Sequence, residues 1–427
     1  MRLTILHTND IHGRQERIAQ IATLVRAEKE QADHPVLYLD AGDVEESTNP
    51  LSNVTKGAAM HRLLSLTTCD AATVGNACWL RYGPGVLEEH ARFSSYPQLL
   101  ANLAPVVGPV PSVMLGEVGV FGLTDPFRGM FSGTDWGFEP LDEIEVAKSL
   151  SRELREEGAT FVILLSHLGL STPRARWDDR RIAVELQDDV DLIIGAHSHD
   201  LLPEGELIGR VLVVQAGSFG DHIGRVEVDG AELRATVAAV DDDVPLYPAV
   251  AEEASQIEAE VSELLAEVIG HVDAAIDAEW IAETLRLRMG ADAGVFGEGL
   301  TVGVVPAGAV TRGALWEASE TGANPGVTSM TGTQLRAVVE RGNDRAFMAE
   351  TPGPLRGRQR GRLVLTGIDL EAIEPERTYV VAGSDWELDS YGGYTDEAWD
   401  LSIRYDFPVI IREAIEDRLA GSPAAGD

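Results

Sequence analysis

Short, almost unbroken apolar runs alternate with longer segments whose apolar residues recur at helical spacing, from Leu3 to about residue 200. The runs Leu3–His7, Val36–Asp40, Ala71–Val74, Phe161–Leu165 and Leu192–Ile194 have the length and branched content of buried strands. Between them, Ile18, Ile21, Ala22, Val25 and Ala27 mark one helix. A second spans about 57–65, a third begins at Val86, and Ile144, Ala147, Leu150 and Leu154 stripe a fourth over 143–156. Residues 44–54 read as a polar loop, and Glu117–Thr124 closes a Gly-linked hairpin. Past His199 the period changes: Val211–Gln215, Ile223–Val228 and Leu233–Val240 read as hairpin strands. The pattern predicts an α/β domain over 1–240, an acidic linker helix over 241–269 with Ile257, Val261, Leu264, Leu265 and Val268 on one face, and a smaller α+β domain over 270–427.

What stands just past the strands carries the chemistry. Asp10 and His12 follow the first run, Asp43 the second and Asn76 the third; His167 closes the next, and His197 and His199 follow the last. Open α/β sheets place their ligand crevice beyond the carboxyl ends of the strands. Carboxylate, amide and imidazole donors together suit a catalytic divalent transition metal (Mn, Zn or Fe) better than a calcium cage or a closed thiolate site.

The series Asp10-x-His12, Gly42-Asp43, Gly75-Asn76, Ser166-His167 and Gly195-Ala196-His197-Ser198-His199 resembles the calcineurin-like metallophosphoesterases. The opening His7-Thr8-Asn9-Asp10-Ile11-His12-Gly13 resembles their bacterial 5′-nucleotidase and 2′,3′-cyclic phosphodiesterase branch. The resemblance implies a two-sheet core with flanking helices and a nucleotidase-like C-terminal domain. It implies two divalent ions, one on Asp10, His12, Asp43 and His199, the other on Asp43, Asn76, His167 and His197. A carboxylate has two oxygens, which fits Asp43 as the bridge. Ions ~3.5–4 Å apart clamp an attacking hydroxide and a phosphoryl oxygen together.

The chain departs from the family at its third motif. Where relatives carry Gly-Asn-His-Glu, with the His beside the leaving group, this sequence has Gly75-Asn76-Ala77-Cys78-Trp79. Ala77 cannot donate a proton. Arg81, close behind, is a candidate phosphate contact, weighed against a stacked structural cation; His222 is a candidate substitute acid. In the C-terminal domain Phe296-Gly297-Glu298-Gly299 replaces the relatives' phosphate-binding Arg loop, and the arginines at 356, 358, 360 and 362 form a candidate compensating stripe. Trp386, Tyr391 and Tyr394 are the candidates for stacking a base. The implied function is hydrolysis of small-molecule phosphate esters, nucleotides first. The alternative is a metal-binding regulatory protein with weakened catalysis.

Composition narrows the partners. With 34 basic and 70 acidic residues, a net charge of −36 argues against nucleic acid and anionic membrane surfaces. Cys69 and Cys78, the only two cysteines, are expected to be reduced and packed. No apolar leader or membrane-length stretch is visible, so a cytoplasmic location is expected. Arg174, Arg176, Arg180 and Arg181 read as a solvated loop with an anion-facing lip as the alternative, and His61 as a surface histidine.

Overall fold

The computed structural model describes residues 1–421 apart from 78, 128–135, 173–175, 320, 353–354 and 356. Cys78, Arg174 and Arg356 therefore lie outside the described residues. The chain divides into two compact units, Met1–Arg128 with Trp136–Ala259, and Glu260–Asp427.

In the first unit the elements are β1 (Arg2–Thr8), α1 (Gln15–Gln31), β2 (Val36–Asp40), α2 (Pro50–Val54), α3 (Ala58–Ser65), β3 (Ala71–Thr73), α4 (Trp79–Tyr82), α5 (Val86–Phe93), β4 (Gln98–Leu99), β5 (Leu103–Ala104), β6 (Ser112–Leu115), β7 (Val118–Thr124), β8 (Glu139–Pro140), α6 (Glu143–Glu156), β9 (Phe161–His167), α7 (Asp179–Glu185), β10 (Leu192–Gly195), β11 (Glu206–Ile208), β12 (Val211–Val214), β13 (His222–Asp229), β14 (Glu232–Ala239) and α8 (Pro248–Ala266). They build two six-stranded sheets, ordered β14-β13-β1-β2-β3-β4 and β11-β12-β10-β9-β7-β6. Leu3, Ile5 and Leu39 of the first meet Val120, Ile163, Leu165, Ile194 and Val214 of the second in one buried cluster, so the sheets pack face to face. The far face of the second sheet is covered by α6 and α7 through Ile144, Ala147, Leu154, Ile182 and Ala183. Strands covered on both faces have no solvent side, which explains their continuous apolar runs.

Three local features differ from expectation. The segment 44–54 is not all loop: Pro50 opens α2, which Asn49 caps by accepting from the Ser52 amide. Residues 211–240 do not form one hairpin series. β12 pairs in parallel with β10 in the second sheet, whereas the β13–β14 hairpin returns to the first and lies antiparallel to β1. His61 is buried, because α3 packs against both α1 and α5.

α8 belongs to the first unit in its early turns, where Ile257 is buried and Arg62 pairs with Glu253. The second unit is organised on a mixed five-stranded sheet of Ala293–Gly297, Pro325–Thr331, Leu363–Thr366, Thr378–Ser384 and Arg404–Tyr405, with the helix Ala278–Met289 packed on it. Among the described residues no helix is long and apolar enough to cross a membrane.

Candidate metal centre

β1 and β2 run parallel, β2 and β3 likewise, and β9 and β10 in the facing sheet, so five carboxyl-terminal strand ends deliver their loops to the ligand cluster. Asp10 Oδ1 stands 3.6 Å from His12 Nε2, 3.4 Å from His199 Nε2 and 4.0 Å from His167 Nε2. His167 Nε2 is 3.3 Å from Asp43 Oδ2, and the His12 and His199 Nε2 atoms are 3.1 Å apart. Two overlapping donor groups result, Asp10–His12–His199 and Asp10–Asp43–His167, each with ligand atoms within 4.8 Å. Asp10 thus stands in both, a role the sequence suggests for Asp43. The His197 ring lies 5.2 Å from that of His167.

Hydrogen bonding shows what these atoms are waiting for. His167 Nδ1 is 2.8 Å from the Ala41 carbonyl and His12 Nδ1 3.2 Å from the Glu45 carbonyl. Carbonyls only accept, so each Nδ1 carries a proton and Nε2 is the ring nitrogen turned inward, free to give its lone pair to a cation. Asp10 Oδ1, Asn76 Oδ1 and His167 Nε2 are buried without a hydrogen-bond partner. Buried polar atoms are otherwise almost always paired. A set of inward lone pairs from imidazoles, an amide and two carboxylates fits divalent cations and little else.

Electrostatics agree. Burial alone would raise Asp43 and Asp10, yet the surrounding imidazoles hold both below the usual carboxylate range. Burial pulls His167 down, but Asp43 and Asp10 outweigh it and push it up to about 10. His197 is pushed down to about 4 by burial and by His167 beside it. The pocket demands positive charge, and a proton at His167 is what a cation would displace.

Each ligand is held from behind. Asn9 Nδ2 donates to Asp10 Oδ2 at 2.8 Å and His197 N to the same oxygen at 2.9 Å, which leaves Oδ1 facing inward. The Ala77 amide donates to Asp43 Oδ1 at 2.8 Å. Asp40, raised to about 7 by burial, accepts from Thr8 and Gly42 beneath the loop. Five of the ligand candidates, Asp10, His12, Asp43, His197 and His199, have φ between 48° and 70°. Left-handed backbone costs an L residue roughly 1–2 kcal/mol, strain that persists only where surrounding structure enforces it. Gly75 is required by crowding: a Cβ there would lie 2.0 Å from Asp43 Oδ1.

Other candidates fall differently. Arg81 is half-buried on α4, and the cation over the neighbouring Tyr82 ring is Lys56 at 5.1 Å. His222 opens β13 beside Gly217, with no hydrogen bond to the ligand cluster among the described contacts. Trp79 is buried, donates to the Gly75 carbonyl at 2.6 Å and meets Phe138 edge-on. In the second unit Trp386 and Tyr394 are buried around Arg360, whose guanidinium lies 5.2 and 5.5 Å from their rings, so neither offers an open face for a base. Tyr391 is half-buried, edge-on to Trp386. The described arginines of the stripe are engaged: Arg358 donates to Gly299, Arg360 pairs with Glu350, and Arg362 with Glu298. Arg176, Arg180 and Arg181 pair with Asp142, Glu206 and Asp178 as partly exposed side chains, in keeping with a charged, solvated loop.

Asp125, which sequence reasoning passed over, lies 3.9 Å from His197 Nε2. The signal was available, since it follows β7 as the ligands follow their strands. Phe219 stands 5.7 Å from the His12 ring and 5.6 Å from that of His199. Its loop carries no pattern that announces it.

Comparison with known proteins agrees with this geometry. Residues 3–201 match the calcineurin-like phosphoesterase family model. The chain is 24% identical over 453 residues to an uncharacterized metallophosphoesterase, YunD, of Bacillus subtilis, covering 97% of this chain and 95% of that protein. It is 28% identical over 272 residues to the snake venom 5′-nucleotidase of Crotalus adamanteus, covering 53% of this chain and 45% of the relative. Among solved structures, the 5′-nucleotidase precursor of Thermus thermophilus superposes with a TM-score of 0.63 at 21% identity, covering 99% and 96% of the two chains. A putative 5′-nucleotidase from Staphylococcus aureus gives 0.68 at 17%, covering 100% and 98%. At those identities the structural likeness speaks for the fold alone. The family match and the ligand cluster together identify residues 3–201 as a calcineurin-like phosphoesterase domain.

Proposed function

We propose that this chain hydrolyses nucleotide-type phosphate esters at a two-ion centre held by Asp10, His12, Asp43, Asn76, His167, His197 and His199. The observation that carries this reading is the set of buried, inward-facing ligand atoms without partners, Asp10 Oδ1, Asn76 Oδ1 and His167 Nε2. Two divalent ions there would supply Lewis-acid polarisation of a phosphoryl oxygen and a nucleophile drawn from water at neutral pH. The chain's own contribution is positional: Ala41 and Glu45 fix imidazole tautomers, while Asn9 and the Ala77 amide orient the carboxylates. Manganese, zinc and iron all match this donor set.

Ala77 sets the substrate preference within that reading. With no imidazole there the leaving oxygen departs unprotonated, and general-acid help is worth ~10²–10⁴-fold. Phosphoanhydrides and aryl-like esters, which leave without help, are favoured over alkyl monoesters. Turnover of a nucleoside diphosphate sugar, a cyclic nucleotide and a nucleoside 5′-monophosphate by the metal-loaded protein tests this. The first is expected to be fastest; a clear preference for the 5′-monophosphate rejects the idea. The missing acid also favours a second reading, a metal-holding regulatory protein. Bound metal with no turnover on the whole panel would select it.

A further inference from the structure

Beside the dinuclear centre the first unit holds another convergence of metal-type donors. Glu45 in the loop after β2, His61 on α3 and His90 on α5 are all buried, with ligand atoms within 4.8 Å of one another. His61 Nε2 lies 2.5 Å and His90 Nδ1 3.3 Å from the same Glu45 Oε1. The His61 contact is satisfied by one proton; the His90 contact is not. His90 Nε2 is 2.6 Å from the Lys56 carbonyl, so its proton is there. With that proton on Nε2, His90 turns its Nδ1 toward a carboxylate oxygen that has only lone pairs to offer. In a desolvated interior such a contact is repulsive unless a further proton or a metal ion stands between the two atoms, and the convergence of a second imidazole on the same oxygen favours the metal.

The surroundings are those of a ligating pair. His90 Nε2 is on a carbonyl, and His61 Nδ1 is 2.8 Å from the Tyr96 hydroxyl and 3.0 Å from the Gln98 amide, which accepts from a protonated Nδ1 once its unpartnered Oε1 is turned toward the ring; such outer partners orient metal-bound imidazoles. Donors ~2.0–2.1 Å from a tetrahedral ion stand about 3.3 Å apart, the His90–Glu45 spacing; the His61–Glu45 contact would lengthen by under ~1 Å.

We propose that Glu45, His61 and His90 bind a third divalent ion of zinc type, separate from the dinuclear centre, which staples the loop after β2 to helices α3 and α5. The Glu45 carbonyl accepts from His12 Nδ1, so this ion would also steady a ligand of the dinuclear centre.

Metal content of the full chain, loaded with Zn²⁺ and desalted, decides the matter when wild type, His90→Gln, Asp10→Asn/Asp43→Asn and the triple combination are compared. His90→Gln is expected to hold one equivalent fewer than wild type. The carboxylate double variant should keep one equivalent that the triple variant loses. With Co²⁺ in place of Zn²⁺, the double variant should show visible absorption that His90→Gln removes. Equal metal content in wild type and His90→Gln overturns the proposal and leaves a purely hydrogen-bonded cluster. If the double variant does not fold, the wild-type comparison alone decides. A wild type holding one ion that His90→Gln removes would keep this site and reject the dinuclear one, so the two fail separately.

Discussion

Ala77 presents only its amide to the centre, donating to Asp43 Oδ1 at 2.8 Å. Ala77→His keeps that amide and adds a donor, so 5′-monophosphate turnover is expected to rise by at least ~10-fold if leaving-group protonation is limiting. No gain in the metal-loaded variant would show that the neighbouring Trp79, buried on Gly75, has closed the space. Gly75 gives a complementary test. The Cβ of Gly75→Ala would lie 2.0 Å from Asp43 Oδ1, displacing the carboxylate. Metal affinity should fall by well over ~100-fold, beyond the usual cost of losing an outer partner of a ligand. Unchanged metal content by elemental analysis would remove Asp43 from the centre.

β1 shows how element and site are made by the same residues. The His7 ring of β1 packs against Gly224 of β13, where a Cβ would meet Nε2 at 2.0 Å, and burial pushes its pKa down to about 3. The native state therefore resists protonation that the unfolded chain accepts near pH 6.5. Stability from this group is full above about 6.5 and is lost as pH falls toward about 3, a contribution on the order of a few kcal/mol. Denaturant titrations between about pH 7 and 4 should show the loss, and His7→Gln should flatten it; parallel curves for the two proteins would exclude His7 as the source. Strands such as β1, β2, β9 and β10 were legible because both faces are covered, so their whole length is apolar. The ligands were legible because each follows such a strand. What stayed hidden depends on distant partners: β13 crossing back to β1, His61 enclosed because α3 has helices on two sides, and Trp386 and Tyr394 filled by Arg360. No local period records which surface another segment will cover.

At the scale of the molecule, the chain carries a charge of −36, whereas the substrate proposed for its site is an anion. Long-range repulsion acts over ~30 Å at ~0.01 M salt and ~8 Å at ~0.15 M. KM for a nucleotide should therefore fall as ionic strength rises across that range, with kcat little changed. A KM that climbs with salt would mean that local arginines dominate capture. The left-handed backbone at Asp10, His12, Asp43, His197 and His199 carries a consequence of another kind. These are the positions where glycine would relax the chain, so a descendant released from handling ions would drift toward glycine there and become sturdier as it became inert. The side chains that remain at those bends are a lasting drain on robustness, kept up against the easiest substitution open to them.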